Sequence, residues 1–314
     1  MDSSSFIMIG NKEAGKTTSM VSAYGRLSKY GANGFKIKAS SQVAKSELDF
    51  MFADLKNGNY PLATQKRNIY SFDLMYNGTI VHEFEWKDFN GGIIDERPND
   101  GTRILKEDMQ KSSGLMLFFD AEKLYNNIVD VKVRRILHII SQNLRSIEKP
   151  FCISIIITKF DVLSDFQKND ADTLLNPLTP LLNIIEGSDN IDTELFPVSC
   201  TARGMINVEL PLLFMLRGTM SVYCSNKYQE LTKEIETYKQ YVNKSGWWDD
   251  IQSWWDDVPT YREMADKKSR ELQPQIDFFF NVLEALESLD KYLTSIDLME
   301  GFRRNQNINK KYKF

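Results

Sequence analysis

The sequence contains few residues that could hold a transition metal or form disulfide bonds. It has two histidines, His82 and His138, and three cysteines without paired metal-ligand spacing, Cys152, Cys200 and Cys224. Because Cys152 and Cys200 lie in apolar, strand-like runs, we expect them to be reduced thiols of the core. With so few suitable ligands, we do not expect a histidine-based metal site or a Ser-His-Asp triad.

Basic charge and long apolar runs are also scarce. The formal net charge of the 314 residues is −4, whereas a nucleic-acid-binding protein generally carries a basic face. No apolar run is long enough to span a membrane, and the N-terminus lacks the basic and apolar segments of a signal peptide. We therefore expect a cytoplasmic protein with no transmembrane segment and no specific nucleic-acid partner.

The most informative segment that is present reads Gly-Asn-Lys-Glu-Ala-Gly-Lys-Thr, the complete pattern G-x-x-x-x-G-K-[ST] of a phosphate-binding loop. An apolar run, Phe6–Ile9, precedes it and a helix-like stretch follows, which is the context that the motif needs. Lys16 would contact the β- and γ-phosphates and stabilise their charge, and the Thr17 hydroxyl would ligate Mg²⁺. The predicted phosphate-binding residues are Gly10, Asn11, Lys12, Glu13, Ala14, Gly15, Lys16, Thr17 and Thr18.

Short apolar strands alternate with helical patterns up to about residue 218. The predicted strands are Phe6–Ile9, Tyr70–Tyr76, Thr79–Asp88, Gly114–Phe119, Cys152–Thr158 and Leu195–Val198, and the predicted helices cover 16–30, 40–56, 101–112, 128–147, 171–185 and 206–217. This alternation predicts an α/β fold with a mostly parallel sheet. The hairpin signal Asn77-Gly78 adds one antiparallel strand, so the sheet is expected to be mixed.

A different pattern begins near residue 219. Two series of apolar residues follow the 3,4 spacing of packed helices: Tyr228, Leu231, Ile235, Tyr238 and Val242, then Leu272, Ile276, Phe279, Leu283 and Leu286. They predict a C-terminal α-helical hairpin. We expect a nucleotide-binding domain at 1–218, a helical extension at 219–300 and a basic, flexible tail at 301–314.

Four tryptophans lie in a seven-residue duplication between the two helical series: Trp247, Trp248, Trp254 and Trp255. They either pack against the core or form an aromatic patch for a protein partner or for self-association, since tryptophan contributes strongly to interfaces. The sequence leaves both readings open.

A second motif indicates which base would be bound. Thr158-Lys159-Phe160-Asp161 follows a buried strand, and an aspartate there can accept hydrogen bonds from guanine N1–H and the exocyclic amine, which adenine cannot supply. Lys159 can lay its alkyl stem over the base. The segment Ser199-Cys200-Thr201 resembles the strand-end loop whose backbone contacts the guanine oxygen. The alternative is an exposed Lys-x-Asp turn.

Two further residue patterns are typical of loops that respond to the γ-phosphate. The segment Asp88-Phe89-Asn90-Gly91 has the form D-x-x-G, in which Asp88 would hold Mg²⁺ through water and the Gly91 N–H would contact the γ-phosphate. Thr64 is the candidate switch threonine that would close on Mg²⁺. An ordinary surface turn at Thr64 is the alternative.

These motifs occur in the order found in GTPases, and the sequence resembles a Ras-like P-loop GTPase of the translation-factor-related class. It is most similar to bacterial double-GTPase relatives found near conflict and defence genes, through Gly58–Thr64 and residues 207–214. The resemblance covers residues 1 to about 218 and implies a Ras-like fold, GTP or GDP with Mg²⁺ as ligands, and two switch loops. It says nothing about the helical extension.

The departures from the family pattern concern hydrolysis. Gly92 follows D-x-x-G, where Ras-like proteins commonly have a glutamine that orients water and double-GTPase relatives an acidic residue. We therefore expect slow hydrolysis unless Asp95, Glu96 or a partner residue takes this role, and Glu96 is our catalytic candidate beside Lys16 and Thr64.

A further departure is Thr158, which stands where many relatives have asparagine and could weaken the tie to the phosphate loop. The resulting hypothesis is a slowly hydrolysing GTP-binding switch that couples nucleotide state to partner binding. A non-hydrolysing assembly module dependent on GTP or GDP is the alternative. A P-loop ATPase or a nucleotide kinase has less support, because a kinase should carry an arginine-rich lid that the sequence does not show.

Overall fold

The computed structural model describes residues 3–61, 68–88, 98–128, 131–201, 204–244, 261–296 and 298. The strands are β1 (Ser4–Gly10), β2 (Phe35–Ala39), β3 (Asn68–Tyr76), β4 (Thr79–Asp88), β5 (Gly114–Asp120), β6 (Phe151–Thr158), β7 (Ile191–Pro197), β8 (Ser199–Thr201) and β9 (Gly204–Ile206). The α-helices are α1 (Lys16–Lys29), α2 (Gln42–Lys56), α3 (Pro98–Lys111), α4 (Ala121–Tyr125), α5 (Val131–Leu144), α6 (Asp165–Lys168), α7 (Ala171–Leu175), α8 (Thr179–Glu186), α9 (Leu210–Lys244) and α10 (Tyr261–Ser295).

Seven of these strands form one sheet in the order β2-β3-β4-β1-β5-β6-β7. Strand β3 runs antiparallel to both of its neighbours, and every other neighbouring pair in this sheet is parallel. The predicted α/β fold, with a mostly parallel mixed sheet and one antiparallel strand, is therefore confirmed. The sequence analysis missed the edge strand β2, whose short Phe-Lys-Ile-Lys-Ala run alternates buried apolar residues with exposed lysines.

Helices cover both faces of the sheet, which explains why its central strands are apolar along their whole length. In β1, Phe6 and Met8 face one core cluster whereas Ile7 and Ile9 face the other. Helices α1, α2, α9 and α10 contribute to the first cluster, and α3, α5 and α8 contribute to the second. Because a parallel strand in such a sheet is buried on both sides, its hydrophobic run is continuous rather than alternating.

The C-terminal helices pack against each other and against the first face of the sheet. Hydrogen bonds from Lys227 to Gln275 and from Lys268 to Glu234 pair increasing numbers in α9 with decreasing numbers in α10, so the two helices are antiparallel. The predicted helical hairpin is thus present. Its first helix is continuous from Leu210 to Lys244, so the domain boundary predicted at residue 218 falls within a helix.

The tryptophan segment lies outside the described residues, as does the basic tail. Their predicted roles, including self-association, stay predictions. Among the described residues, no helix combines the length and the apolar character that a membrane crossing requires.

A buried ion-pair group joins the second C-terminal helix to the sheet. The Arg217 guanidinium, which is almost fully buried, donates to the Asp192 carboxylate at 2.6 Å and to the Asp290 carboxylate at 3.4 Å. Asp192 belongs to β7 and is fully buried, whereas the Asp290 side chain, in α10, is 44% exposed. Arg217 therefore links three elements through one side chain.

Replacing Arg217 with methionine is expected to lower the free energy of unfolding by about 3–5 kcal/mol, because Asp192 would keep a buried charge without its counter-ion. The matched variant Asp290→Asn should change it by about 1 kcal/mol or less, because water already screens that carboxylate. Urea denaturation followed by circular dichroism measures both values. Equal losses in the two variants would contradict the assignment of Asp192 as the main partner.

Candidate functional site

The predicted nucleotide-binding segments lie together because four strands of the sheet end at the same edge. Strands β1, β4, β5 and β6 are mutually parallel, so their last residues, Gly10, Asp88, Asp120 and Thr158, all lie at the carboxyl edge. In open α/β sheets this edge is where ligands bind. The loops that follow these strands form the candidate site.

The loop between β1 and α1 has the geometry of a closed backbone turn. Glu13 and Gly15 adopt left-handed backbone conformations, with φ angles of 66° and 78°. The turn is closed by a hydrogen bond from the Ala14 N–H to the Asn11 carbonyl at 3.2 Å. A Cβ atom at Gly10 would lie 2.7 Å from the Phe118 carbonyl oxygen, so only glycine fits there without displacing β5.

Lys16 is the first residue of α1, and its side chain folds back over this loop. Its Nζ donates to the carbonyl oxygens of Gly10 at 2.9 Å and Asn11 at 3.1 Å. Burial lowers the pKa of the Lys16 ammonium, and the nearby Asp88 carboxylate opposes this shift. The positive charge is therefore held in a partly desolvated position at a helix N-terminus, where an anion would be favoured by both the charge and the helix dipole.

Two of the three predicted magnesium ligands, Thr17 and Asp88, belong to the described residues and lie next to each other. The Thr17 hydroxyl, in the first turn of α1, is 3.5 Å from Asp88 Oδ2 at the end of β4. Asp88 is buried, with only 1% of its surface exposed. A hydroxyl and a carboxylate in this arrangement are oxygen donors of the type that Mg²⁺ prefers, so these residues fit the ion.

Thr158 ties the predicted base-reading loop to the predicted phosphate loop. Its hydroxyl, fully buried at the end of β6, lies 2.9 Å from the Ala14 carbonyl and 3.0 Å from the Phe119 carbonyl. The expectation that threonine weakens this tie is therefore not supported by the geometry. A hydroxyl reaches the loop carbonyl because Gly15 lets the loop approach, a Cβ there being 3.3 Å from the Thr158 side chain.

Thr158→Val removes this hydroxyl at nearly constant volume and is expected to lower the free energy of unfolding by about 1–3 kcal/mol, because buried carbonyls lose their donor. Thr193→Val is the matched control. The Thr193 hydroxyl is equally buried but has no hydrogen-bond partner within the described residues, so valine there should be neutral or stabilising. Thermal unfolding of both variants measures the difference. A neutral Thr158→Val variant would show that the hydroxyl does not hold the loop.

Asp120, at the end of β5, is a site residue that the sequence analysis missed. Its Oδ2 accepts a hydrogen bond from Lys159 Nζ at 2.7 Å, and its Oδ1 accepts from the backbone N–H groups of Glu122 and Lys123. Lys159 itself has a left-handed backbone, with φ 55°. Asp120 thus both caps α4 and fixes the direction of the Lys159 stem. An aspartate directly after a buried strand and before a helix was the signal that could have identified it.

The predicted base-reading carboxylate is held by a buried serine. Ser199 Oγ donates to Asp161 Oδ1 at 2.6 Å and accepts the Asp161 backbone N–H at 3.0 Å. Ser199 is 1% exposed, whereas Asp161 is exposed. The buried Ser199 hydroxyl therefore fixes the orientation of a carboxylate that lies at the surface. The structure therefore brings together Asp161 and Ser199, which lie 38 residues apart in the sequence.

Ser199, Cys200 and Thr201 form the first strand of a small hairpin, β8–β9, that the sequence analysis did not predict. The Cys200 thiol lies 3.5 Å from the Ser19 hydroxyl of α1, and the Thr201 hydroxyl donates to the Gly204 carbonyl at 3.0 Å. Both side chains thus stabilise the hairpin and its contact with α1. The predicted contact of their backbone with a guanine oxygen stays a prediction.

Several predicted residues lie outside the described residues. They are the switch threonine Thr64, the D-x-x-G glycine Gly91, the neighbouring Gly92, and the candidates Asp95 and Glu96. The described part of the candidate site therefore comprises the predicted phosphate loop, Asp88, and the predicted base-reading residues with the side chains that support them.

No family model and no curated protein matches the sequence. Among solved structures, the chain is similar to the bacterial selenocysteine-specific elongation factor EF-Sec, with 16% identity and a TM-score of 0.36 over 68% of this chain and 28% of that one. It is similar to the S. cerevisiae Ski7 GTPase-like domain bound to GTP, with 16% identity and a TM-score of 0.39 over 63% of this chain and 43% of that one. A third similar structure is the elongation factor SelB from Methanococcus maripaludis in complex with the GTP analogue GPPNHP, with 14% identity and a TM-score of 0.38 over 69% of this chain and 34% of that one. The matched region is less than half of each of these longer chains.

Proposed function

We propose that this protein is a GTP-binding molecular switch that hydrolyses GTP slowly. The observation that carries the proposal is the Asp161 carboxylate, which Ser199 fixes at the same sheet edge as a complete phosphate-binding loop. A phosphate loop alone would suit any nucleoside triphosphate. An oriented acceptor beside it selects a base that presents two adjacent donors, and among the common bases guanine does so.

The phosphate chain of the nucleotide would lie over the N-terminus of α1. The loop amides of residues 10–18 and the Lys16 ammonium would stabilise its negative charge, as the helix dipole does. Thr17 and Asp88 would hold Mg²⁺, whose chemistry is to neutralise charge that develops on the phosphate oxygens. Lys159, directed by Asp120, would cover one face of the base.

The switching part of the proposal rests on the sequence around Thr64 and Gly91, both of which lie outside the described residues. Thr64 and Gly91 would contact Mg²⁺ and the γ-phosphate, and their loops would order only in the triphosphate state. Gly92 offers no side chain to orient water, which supports slow intrinsic hydrolysis. Glu96 or a partner residue would supply that function. The loop order would then be sensed by a protein partner through the helical extension, with the tryptophan segment as a candidate contact.

A second candidate function is a GTP- or GDP-dependent assembly module that does not hydrolyse the nucleotide. Gly92 favours it for the same reason that it favours slow hydrolysis. A P-loop ATPase or nucleotide kinase has less support, because neither explains an aspartate held by a buried serine next to the phosphate loop. The similarity of Gly58–Thr64 and residues 207–214 to bacterial double-GTPase proteins supports membership in that subclass.

Titration with fluorescently labelled GTP, GDP and ATP in the presence of Mg²⁺, followed by phosphate release from the same sample, tests the proposal. Guanine-selective binding with slow release is the expected result. Guanine-selective binding without release would favour the assembly module, and a preference for adenine nucleotides would overturn the assignment of Asp161. Chelation of Mg²⁺ should weaken triphosphate binding more than diphosphate binding.

A further inference from the structure

A second pocket lies at the opposite edge of the sheet from the candidate nucleotide site. It has a volume of ≈ 520 Å³ and is bounded by the beginnings of β1, β5 and β6 and by one face of α9. Strand β1 begins at Ser4 in this pocket and ends at Gly10 in the phosphate loop, so roughly 20 Å of strand separates the two sites. The volume lies within the range of small-molecule sites.

The pocket wall contains a buried histidine that is not fully hydrogen-bonded. His82 lines the pocket with only 2% of its surface exposed. Its Nε2 lies 2.8 Å from the Ser4 hydroxyl, whereas its Nδ1 has no hydrogen-bond partner within the described residues. Burial lowers the pKa of His82 to about 4, so the imidazole is neutral near pH 7. His82 therefore contributes a neutral ring and no charge to the pocket wall.

The charges at the pocket favour a monoanion. Lys227 is already paired with Glu230 at 2.7 Å, so these two residues contribute no net charge. Lys149 is different, because its Nζ donates to the neutral Ser112 carbonyl at 2.6 Å and no carboxylate of the described residues lies within ion-pair distance of it. Lys149 is exposed as a residue, and the partial burial of its ammonium lowers its pKa, a shift that an anion beside it would oppose. The remaining formal charge of the pocket is therefore that of one cation.

The rest of the wall is mixed in character, with Ser113, Thr219 and Asn226 as its polar residues. Its apolar part consists of Pro150, which directly precedes β6, Cys152 of β6, and Val222 and Tyr223 of α9. We propose that this pocket binds a small organic carboxylate, whose anionic group contacts Lys149 and whose apolar part lies against Val222 and Tyr223. This site is independent of the proposed nucleotide function.

The chain has only two histidines, so its imidazole NMR spectrum can report on the pocket directly. Protein labelled with ¹⁵N-histidine is titrated with 4-phenylbutyrate, and with the uncharged 4-phenylbutanamide as the matched ligand. We expect a saturable shift of the His82 ring nitrogens with the carboxylate and a much weaker response to the amide. His138, which lies on α5 beside Gln142, lines a separate cavity, so a shift of His82 without a parallel shift of His138 assigns the ligand to the pocket described above.

Two variants test the charge assignment. Lys149→Gln should weaken 4-phenylbutyrate binding at least about tenfold, because a charge-assisted contact is lost. The double variant Lys227→Gln, Glu230→Gln should change it less than about threefold, since it removes both charges of that pair and leaves the net charge of the pocket unaltered. The proposal is overturned if His82 shows no saturable shift, if the amide binds as well as the carboxylate, or if the two variants behave alike. Tighter binding of inorganic phosphate would overturn the carboxylate assignment.

Discussion

Lys16→Ala is expected to weaken the binding of GTP and GDP at least about 100-fold, because several charge-assisted contacts to the phosphates depend on this ammonium. The structure places Lys16 Nζ over the phosphate loop, where two carbonyls hold it at 2.9 and 3.1 Å. Lys16 is half-buried, whereas Lys12, the other lysine of this loop, is exposed. Titration with a fluorescent guanine nucleotide measures the loss.

The variant should bind nucleotide poorly while remaining folded. Because burial lowers the pKa of Lys16, the charged side chain is held at a cost in the free protein, and its removal should leave the melting temperature unchanged or raise it. Lys12→Ala is the matched control from the same loop and should change affinity less than about threefold. A folded Lys16→Ala protein with unchanged affinity would show that this loop does not bind phosphate.

The parts of the fold that the sequence predicts well are those where burial imposes one pattern. Strand β6 is buried along all eight residues, and its run Phe-Cys-Ile-Ser-Ile-Ile-Ile-Thr is nearly continuous in apolar character. The strand–turn–helix geometry around Gly10 and Gly15 is equally well predicted, because these glycines meet a local backbone requirement. The edge strand β2 is not, since five residues with alternating lysines resemble many exposed segments.

The continuity of helix α9 shows a second feature that the sequence pattern does not predict. Gly218 within a helical pattern suggests a break, and the sequence analysis placed a domain boundary there. In the structure Gly218 lies inside the helix, where a Cβ atom would overlap the Cys152 thiol of β6. The glycine therefore permits the helix to pack closely on the sheet. Which of these two roles a glycine has depends on a tertiary contact that no local pattern reveals.

In the candidate site, too, local sequence motifs predict some residues, and tertiary contacts determine the others. The roles of Lys16 and Asp161 follow from motifs whose chemistry is local, whereas the supports come from distant segments. Asp120 contacts Lys159 across 39 residues, and Thr158 reaches the phosphate loop across 144. Spacing along the chain gives no information about such contacts, because they depend on which strands are neighbours in the sheet.

The second large effect concerns base selection, and the expected result of Asp161→Asn is a change from guanine to xanthine preference. Ser199 donates to Oδ1 of residue 161, so an asparagine held in the same orientation would present its amide N–H₂ where Oδ2 now lies. That donor would face the exocyclic amine of guanine but would pair with the carbonyl that xanthine carries there. GTP affinity should fall roughly 100-fold or more, and the affinity for XTP should rise.

Two control variants test whether the effect of Asp161→Asn comes from the carboxylate itself. One removes the group that orients Asp161, and the other removes a nearby negative charge. Ser199→Ala keeps the carboxylate but removes its support, so it should weaken GTP binding by about tenfold without a gain in XTP affinity. Asp165→Asn removes a fully exposed carboxylate from the next helix and should change neither affinity. Competition binding with GTP and XTP measures all three variants. If Asp161→Asn leaves the GTP-to-XTP ratio unchanged, the loop after β6 is a surface turn, and the guanine assignment fails even if Lys16→Ala abolishes binding.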